Sequence, residues 1–195
     1  FGANDGEVTH LDPSTGALSS AVFEKANGRP FAGLLEDLVL EEDRLYLVAN
    51  TGKVEIVNPG DFKSIGAVVG DLDQPRSLAT ARGKLFISDY GPYDANFNTP
   101  DSYVAVVSGL DGGTVKKKIE VSDKPEDLFT SGKYVFVAGS RESKIEIIDA
   151  DADPRLGSAL SGVQKRCLVQ QGLSIQMLTA DGAGCCGSSW SAAPR

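Results

Sequence analysis

The feature that most constrains this chain is a repeat. Three segments share one order of residues. The first runs Glu36 to Leu40, then Arg44 to Asn50, then Lys53 to Asn58. The second runs Pro75 to Thr80, Gly83 to Asp89 and Ser102 to Ser108. The third runs Pro125 to Thr130, Gly132 to Gly139 and Ser143 to Asp149. Each piece is short, rich in β-branched and aromatic residues, and bounded by Gly, Asn or Asp, as strands separated by tight turns are. The spacing is regular except in the middle repeat, where the stretch from Tyr90 to Ser102 is longer than its counterparts.

A more polar fourth strand follows the first two triplets, as Phe62 to Gly66 and as Thr114 to Val121. The lysines of the latter suit an outer edge, where charge discourages pairing between molecules. Glu55 and Glu146, each flanked by apolar residues, read as the solvent side of half-buried strands. A four-stranded unit recurring at roughly 40–50 residues is the pattern of a β-propeller blade. The fold expected is therefore all-β, a propeller of four-stranded antiparallel blades forming an incomplete ring of about four blades. A β-sandwich is the structural rival, because it too has short strands at regular intervals.

The blade boundaries fall near 1–30, 31–70, 71–122 and 123–170, with the start of a further blade at 171–182. Glu7 to Pro13 matches a third strand and Ala17 to Phe23 reads as a fourth, so the chain enters part-way through a blade. Leu173 to Gly182 resembles the opening of the next repeat, and the weakly patterned stretch from Arg155 to Gln171 precedes it. The last segment, 183–195, holds adjacent Cys185 and Cys186 and the lone Trp190, and reads as an irregular tail translated out of frame.

Charge narrows the function. Nineteen Lys and Arg stand against 27 Asp and Glu, a net charge of −8. That argues against a protein that tracks nucleic-acid phosphates, which needs a basic face. No apolar run approaches the roughly 20 residues of a membrane-spanning helix. With one His and three Cys there is little material for a metal centre or an activated nucleophile. Cys167, Cys185 and Cys186 lack zinc spacing. Gly182 to Gly187 spells G-x-G-x-x-G, but too few residues follow for the helix that holds a pyrophosphate. Asp149, Asp151 and Asp153 resemble the start of a calcium loop, yet Pro154 and Leu160 stand where such a loop needs Gly and Glu. His10 reads as a surface or packed histidine. No catalytic residue, cofactor or metal site is expected.

The opening, Phe1 to Val8, Asp12 to Gly16 and Val22 to Pro30, together with Gly52 to Val57, Pro75-Arg76-Ser77 and Lys124 to Asp127, resembles YncE-like β-propellers. The resemblance covers roughly residues 1–150 and concerns fold more than function. It implies a bacterial cell-surface or periplasmic protein of the Bacteroidetes lipoprotein type, usually with seven blades. Some members of the family sit beside outer-membrane nutrient receptors, and one branch captures cobalamin.

The candidate site is the long loop from Asp89 to Tyr103. In propellers such loops emerge at the channel mouth. Tyr90, Tyr93 and Phe97 offer stacking area, and Asn96 and Asn98 offer paired donors and acceptors. Asp89, Asn50, Arg76 and Glu126 are expected on the same face, with Arg141 nearby. The expected function is non-catalytic binding of a small nutrient (corrinoid-like) or a glycan at the channel face. The alternative is a scaffold partnering an outer-membrane transporter.

Overall fold

A computed structural model describes residues 6–31, 33–41, 43–140 and 145–152. The expected strands at 171–182, the 155–171 stretch, the 183–195 tail, all three Cys and Arg141 lie outside the described residues. What is described is all-β apart from one short helix, and its strands are assembled almost wholly as antiparallel hairpins.

The first repeat becomes β3 (Leu35–Glu41), β4 (Arg44–Ala49), β5 (Lys53–Val57) and β6 (Ser64–Val69), each hydrogen-bonded to the next. The second becomes β7 (Pro75–Ala81), β8 (Lys84–Asp89), β9 (Tyr103–Val107) and β11 (Val115–Glu120), in the order β11-β9-β8-β7. The third supplies β12 (Pro125–Ser131), β13 (Tyr134–Gly139) and β14 (Ile145–Asp149). A ribbon of β1 (His10–Leu11) and β2 (Leu18–Ser19) precedes them. Arg82 and Gly83, at φ 54° and 70°, make the two-residue turn between β7 and β8. Two successive positive φ values match the right-handed twist of the strands they join. Among the described residues the sheets do not close into a barrel or a ring.

The sheets stack one upon the next. Tyr46, Val48, Val54 and Ile56 of the first bury against Leu78, Leu85, Ile87, Ala105 and Val107 of the second. The opposite face of the second carries Ala79, Phe86 and Val104 onto Leu128, Val135, Val137 and Ile148 of the third. The opposite face of the first carries Leu47, Ala49 and Val57 onto Val8, Val22, Phe23 and Phe31. Strands in the middle of the stack are thus covered on both faces, which explains runs such as Tyr46 to Ala49 that are buried at every residue.

Three expectations are corrected. Residues Ala17 to Phe23 do not form a fourth strand. Only Leu18 and Ser19 pair, and α1 (Val22–Asn27) follows, ended by Gly28 in the left-handed conformation. The helix wins because it places adjacent Val22 and Phe23 in one core, with Phe23 edge-on to Phe31 at 5.6 Å. Glu55 does not face solvent. It is 5% exposed, and Arg29 grips its two oxygens at 2.8 and 3.0 Å. Burial between sheets is tolerated there because the charge is paired bidentately. Glu146 is likewise only partly exposed, its Oε2 accepting the Ser122 N–H at 2.7 Å.

The second meander also lends a strand to the first. β10 (Gly112–Gly113), from the β9–β11 connection, pairs in parallel with Ala67 and Val68 of β6. Arg44 bonded to Asp111 at 2.6 Å and Tyr46 Oη donating to Leu110 O at 3.2 Å hold that connection in place. The approach requires glycine, since a Cβ on Gly66 would stand 1.9 Å from Asp111 O. β6 is thereby covered, and the lysine-bearing β11 is left as an edge, with Lys116 and Lys118 exposed. Gly66→Ala should cost about 1–3 kcal/mol in urea unfolding, because backbone must move to admit the methyl. It should also unprotect the β10 amides in hydrogen exchange. Wild-type stability and unchanged protection would contradict this packing.

Candidate functional site

The site begins with a backbone irregularity repeated three times. At the second residue of β3, β7 and β12 the pairing with the neighbouring strand slips. Leu35 pairs with Ala49 and Asp37 with Val48, which leaves Glu36 as the extra residue. Arg76 and Glu126 are the extra residues at the same place in the other two repeats. A bulge of this kind re-aims the side chains on either side of it and frees backbone donors from the ladder. Local side chains answer those donors. Asp37 Oδ1 accepts the Leu38 N–H and Asp127 Oδ1 accepts the Leu128 N–H, both at 2.8 Å. In the middle repeat Ser88 Oγ accepts the Ser77 N–H at 3.0 Å.

The three bulges meet. Arg76 places Nη1 2.9 Å from Glu36 Oε1, and its Nε lies 3.5 Å from Glu126 Oε2. Ser77 Oγ lies 2.8 Å from Asp37 Oδ2 and 3.2 Å from Asp127 Oδ1. Its single proton can go to only one of them, so two carboxylates converge on one donor. Glu36, Asp37, Arg76, Ser77, Glu126 and Asp127 line a recess of about 310 Å³. Four carboxylates face one guanidinium there, so the recess repels anions and favours ligands that donate hydrogen bonds or carry positive charge.

A second tier supports the lining. The residues that follow β4, β8 and β13 each return a backbone bond to the residue before the repeat's first strand. These are Asn50 to Leu34 O, Tyr90 to Gln74 O and Ser140 to Lys124 O, at 3.0, 3.2 and 2.9 Å. Asn50 also donates its side-chain amide to Glu36 at 2.7 Å. Tyr90, 7% exposed, donates its hydroxyl to Glu126, and the Arg76 guanidinium lies 4.9 Å above its ring. An unbroken chain of polar contacts therefore runs Asn50, Glu36, Arg76, Glu126, Tyr90.

Of the residues singled out in the sequence, Asn50, Arg76, Glu126 and Tyr90 are brought together. Asp89 lies beside them but points into the protein. It is fully buried and accepts the N–H groups of Asp73, Gln74 and Gly91 at 2.9, 2.8 and 2.7 Å. Burial pushes its carboxyl above the usual range despite those three bonds. Its role is to anchor the loop. Tyr93, Asn96, Phe97 and Asn98 sit at the loop tip and do not line the recess. Asp94 gathers the Asn96 and Asn98 N–H groups at 2.8 Å, and Phe97 is 78% exposed. Below the tip, buried Ser102 places its Oγ 2.9 Å from Tyr90 O and 2.8 Å from Thr99 O, its one proton serving either carbonyl, so the base of the loop is held.

Sequence reasoning passed over Glu36, Asp37, Ser77 and Asp127 as site residues. Their signal was the alignment of the repeats: Glu36-Asp37, Arg76-Ser77 and Glu126-Asp127 occupy one column, polar at all six positions where a strand begins. His10 is exposed, its ring 5.5 Å from Phe62. Among the described residues no group of His, Cys, Asp or Glu is arranged to hold a metal ion. No helix among them is long and apolar enough to cross a membrane.

The class that fold and site define is an all-β repeat protein with a polar recess where its repeats converge. No protein-family model and no curated protein match the chain. Solved structures do resemble it. The computationally designed Ika8 protein aligns with a TM-score of 0.61 at 13% identity, over 92% of this chain and 51% of its own. The computationally designed Ika4 protein gives 0.53 at 14%, over 76% and 82%. A chain in the complex of KlAtg21 with the coiled coil of AgAtg16 gives 0.56 at 13%, over 90% and 56%. This chain thus covers little more than half of the first and third. At such identities the likeness is one of fold.

The Tyr90 hydroxyl gives a direct reading of the network. Burial first, and its bond to Glu126 second, push the phenol from 10.0 up to about 12. The folded state therefore favours the neutral phenol. Its contribution to stability is complete below about pH 10 and disappears as pH rises through about 12. Near-ultraviolet titration should show that the transition lost in Tyr90→Phe is the one centred near pH 12. A lost transition centred at the ordinary tyrosine value would mean that Tyr90 is not docked on Glu126.

Proposed function

We propose that this chain is part of a β-propeller and that it captures a small neutral or cationic polar ligand, a corrinoid-like nutrient or a glycan, at the recess between Glu36, Arg76 and Glu126. The reading is of a non-catalytic binding protein of the cell surface or periplasm, similar to the YncE-like propellers. One observation carries it: the same bulge in three successive first strands turns a polar two-residue step into one recess. Hydroxyl and amide groups of such ligands are donors, and the four carboxylates are acceptors. The Arg76 Nε is turned to Glu126, and the exposed part of the same guanidinium supplies the donors for a ligand oxygen. Ligands of net negative charge, such as phosphate monoesters, are disfavoured by the excess of acid.

A second reading, a scaffold for a protein such as an outer-membrane transporter, draws on a different feature. Tyr93 and Phe97 project, 48% and 78% exposed, from a loop whose base is fixed. Rigid exposed aromatics are frequent anchors of protein interfaces.

Calorimetry with cyanocobalamin and a panel of neutral and amino-bearing oligosaccharides separates the two. On the ligand reading, at least one compound binds, and Arg76→Ala weakens it tenfold or more, since a charged hydrogen bond is worth about 1.5–3 kcal/mol. Phe97→Ala leaves that binding unchanged. Silence across the panel at millimolar concentration would overturn capture at this recess.

A further inference from the structure

The tip of the long loop takes no part in the recess. Gly91 and Thr99 are buried, and every residue from Pro92 to Phe97 between them is exposed. The extension is closed upon itself. Asp94 donates its N–H to Asn98 O at 2.8 Å, and Phe97 donates its own to Asp94 O at 3.1 Å. Asp94 Oδ1 accepts the N–H groups of Asn96 and Asn98, and the Asn98 side-chain amide reaches Oδ2 at 3.3 Å. These bonds, the Asn98 N–H first, hold the Asp94 carboxyl below the usual carboxylate range, so the tip keeps a negative charge. At the base, the Gln74 side-chain amide donates to Gly91 O at 2.9 Å and the Thr99 hydroxyl donates to Asp123.

Phe97 stands at the most strained point of this turn. Its φ is 60°, in the left-handed region that Gly and Asn tolerate and a bulky residue does not. An asparagine lies on either side of it, yet the strained position holds the phenylalanine. Its ring is 78% exposed, and the Tyr93 ring, 48% exposed, lies 6.3 Å away at 60°. A tip shaped for its own stability would carry Gly or Asn at that position. This one accepts backbone strain to hold a bare ring in water beside amides and a carboxylate, and such strain is stored where a ligand is met.

A protein and a sugar both bind to rigid aromatic rings, and size separates them. A stable protein contact covers about 800 Å² on each partner. Two rings that bury roughly 150–250 Å² each fall well short of that, and Asp94 and Asn96 between them are polar. A pyranose with equatorial hydroxyls fits better. Its axial C–H groups form a flat apolar face of the size of one ring. Its hydroxyls need donors and acceptors at the rim, which the Asn96 amide and the Tyr93 hydroxyl supply. A tip already fixed by its own bonds loses little freedom when it binds. We propose that the Tyr93–Phe97 tip is a second binding site, separate from the recess, where a neutral pyranose of an oligosaccharide stacks on Phe97 and bonds to Asn96. Acidic sugars are repelled by Asp94.

Saturation-transfer NMR of the full chain with cellohexaose, laminarihexaose and xylohexaose at millimolar concentration tests this. Irradiating the aromatic protons should saturate the ring C–H protons of at least one sugar. Phe97→Gly should weaken that binding about tenfold or more. Glycine suits the positive φ, so circular dichroism and the urea midpoint should stay close to wild type, and the loss then comes from the missing ring. Phe97→Trp, with a larger face, should bind at least as well as wild type. Arg76→Ala should leave the signal unchanged, which keeps this site distinct from capture at the recess. No transfer to any of the three sugars would overturn the proposal and leave the rings to a protein contact. So would binding that survives Phe97→Gly, or binding that Arg76→Ala abolishes.

Discussion

Leu85 and Ile87 turn to one side of β8 and Phe86 to the other, and both sides are dry. From this two-sided burial the rest of the architecture follows. A sheet with one wet face can end a protein. A sheet with two dry faces needs a neighbour on each side, and those neighbours are repeats of itself. The stack grows in one direction, and each meander's first strand is held beside those of its neighbours. Thr80 donates both its N–H and its hydroxyl to Glu41 across that seam, at 3.0 and 2.6 Å. Ser77 stands between Asp37 and Asp127 one step along.

The recess is a consequence of that convergence. Side chains at the start of three inner strands cannot all be apolar, because the strand ends open to water. Nor can they all be acidic, because the charges are too close. One cation between two glutamates is the local solution, and Arg76 supplies it from the middle repeat with a planar guanidinium that reaches both ways. Tyr90 then closes the network by donating to Glu126 from beneath the same guanidinium. Its place in the long loop is set by Asp89 and Ser102, which hold backbone and touch no part of the recess.

Much of this was legible in the sequence. The strand positions of the three repeats follow from runs such as Leu45 to Ala49 and Leu85 to Ile87 between Gly- and Asp-bearing turns, and they shift by only a residue or two in the structure. The fourth strand of the first repeat moved further, from Phe62–Gly66 to Ser64–Val69, because Phe62 takes a positive φ in the turn. β10 left no trace in the pattern, since two glycines carry no side-chain periodicity and their pairing depends on a neighbouring sheet. α1 was hidden because six residues are too few to show a helical period. Glu55 misled because alternation assumes one wet face, and at β5 both faces of this sheet are covered. In the site, Arg76, Glu126 and Asn50 were found through their place in the repeat. Asp37 and Asp127 were missed because a bulge re-aims side chains in a way that strict alternation does not anticipate.

The most direct test of the account is whether the middle meander is covered on both sides. Methyl-labelled protein would be studied by nuclear Overhauser spectroscopy, with Ile87 read on one face and Val104 on the other. The account requires cross-peaks from Ile87 to the Ile56 and Val68 cluster, and from Val104 to the Ile148 and Val137 cluster, in the same sample. If Val104 shows contacts only to solvent-exposed groups while Ile87 keeps its own, the protein is a two-layer sandwich, and the converging strands that build the recess do not exist.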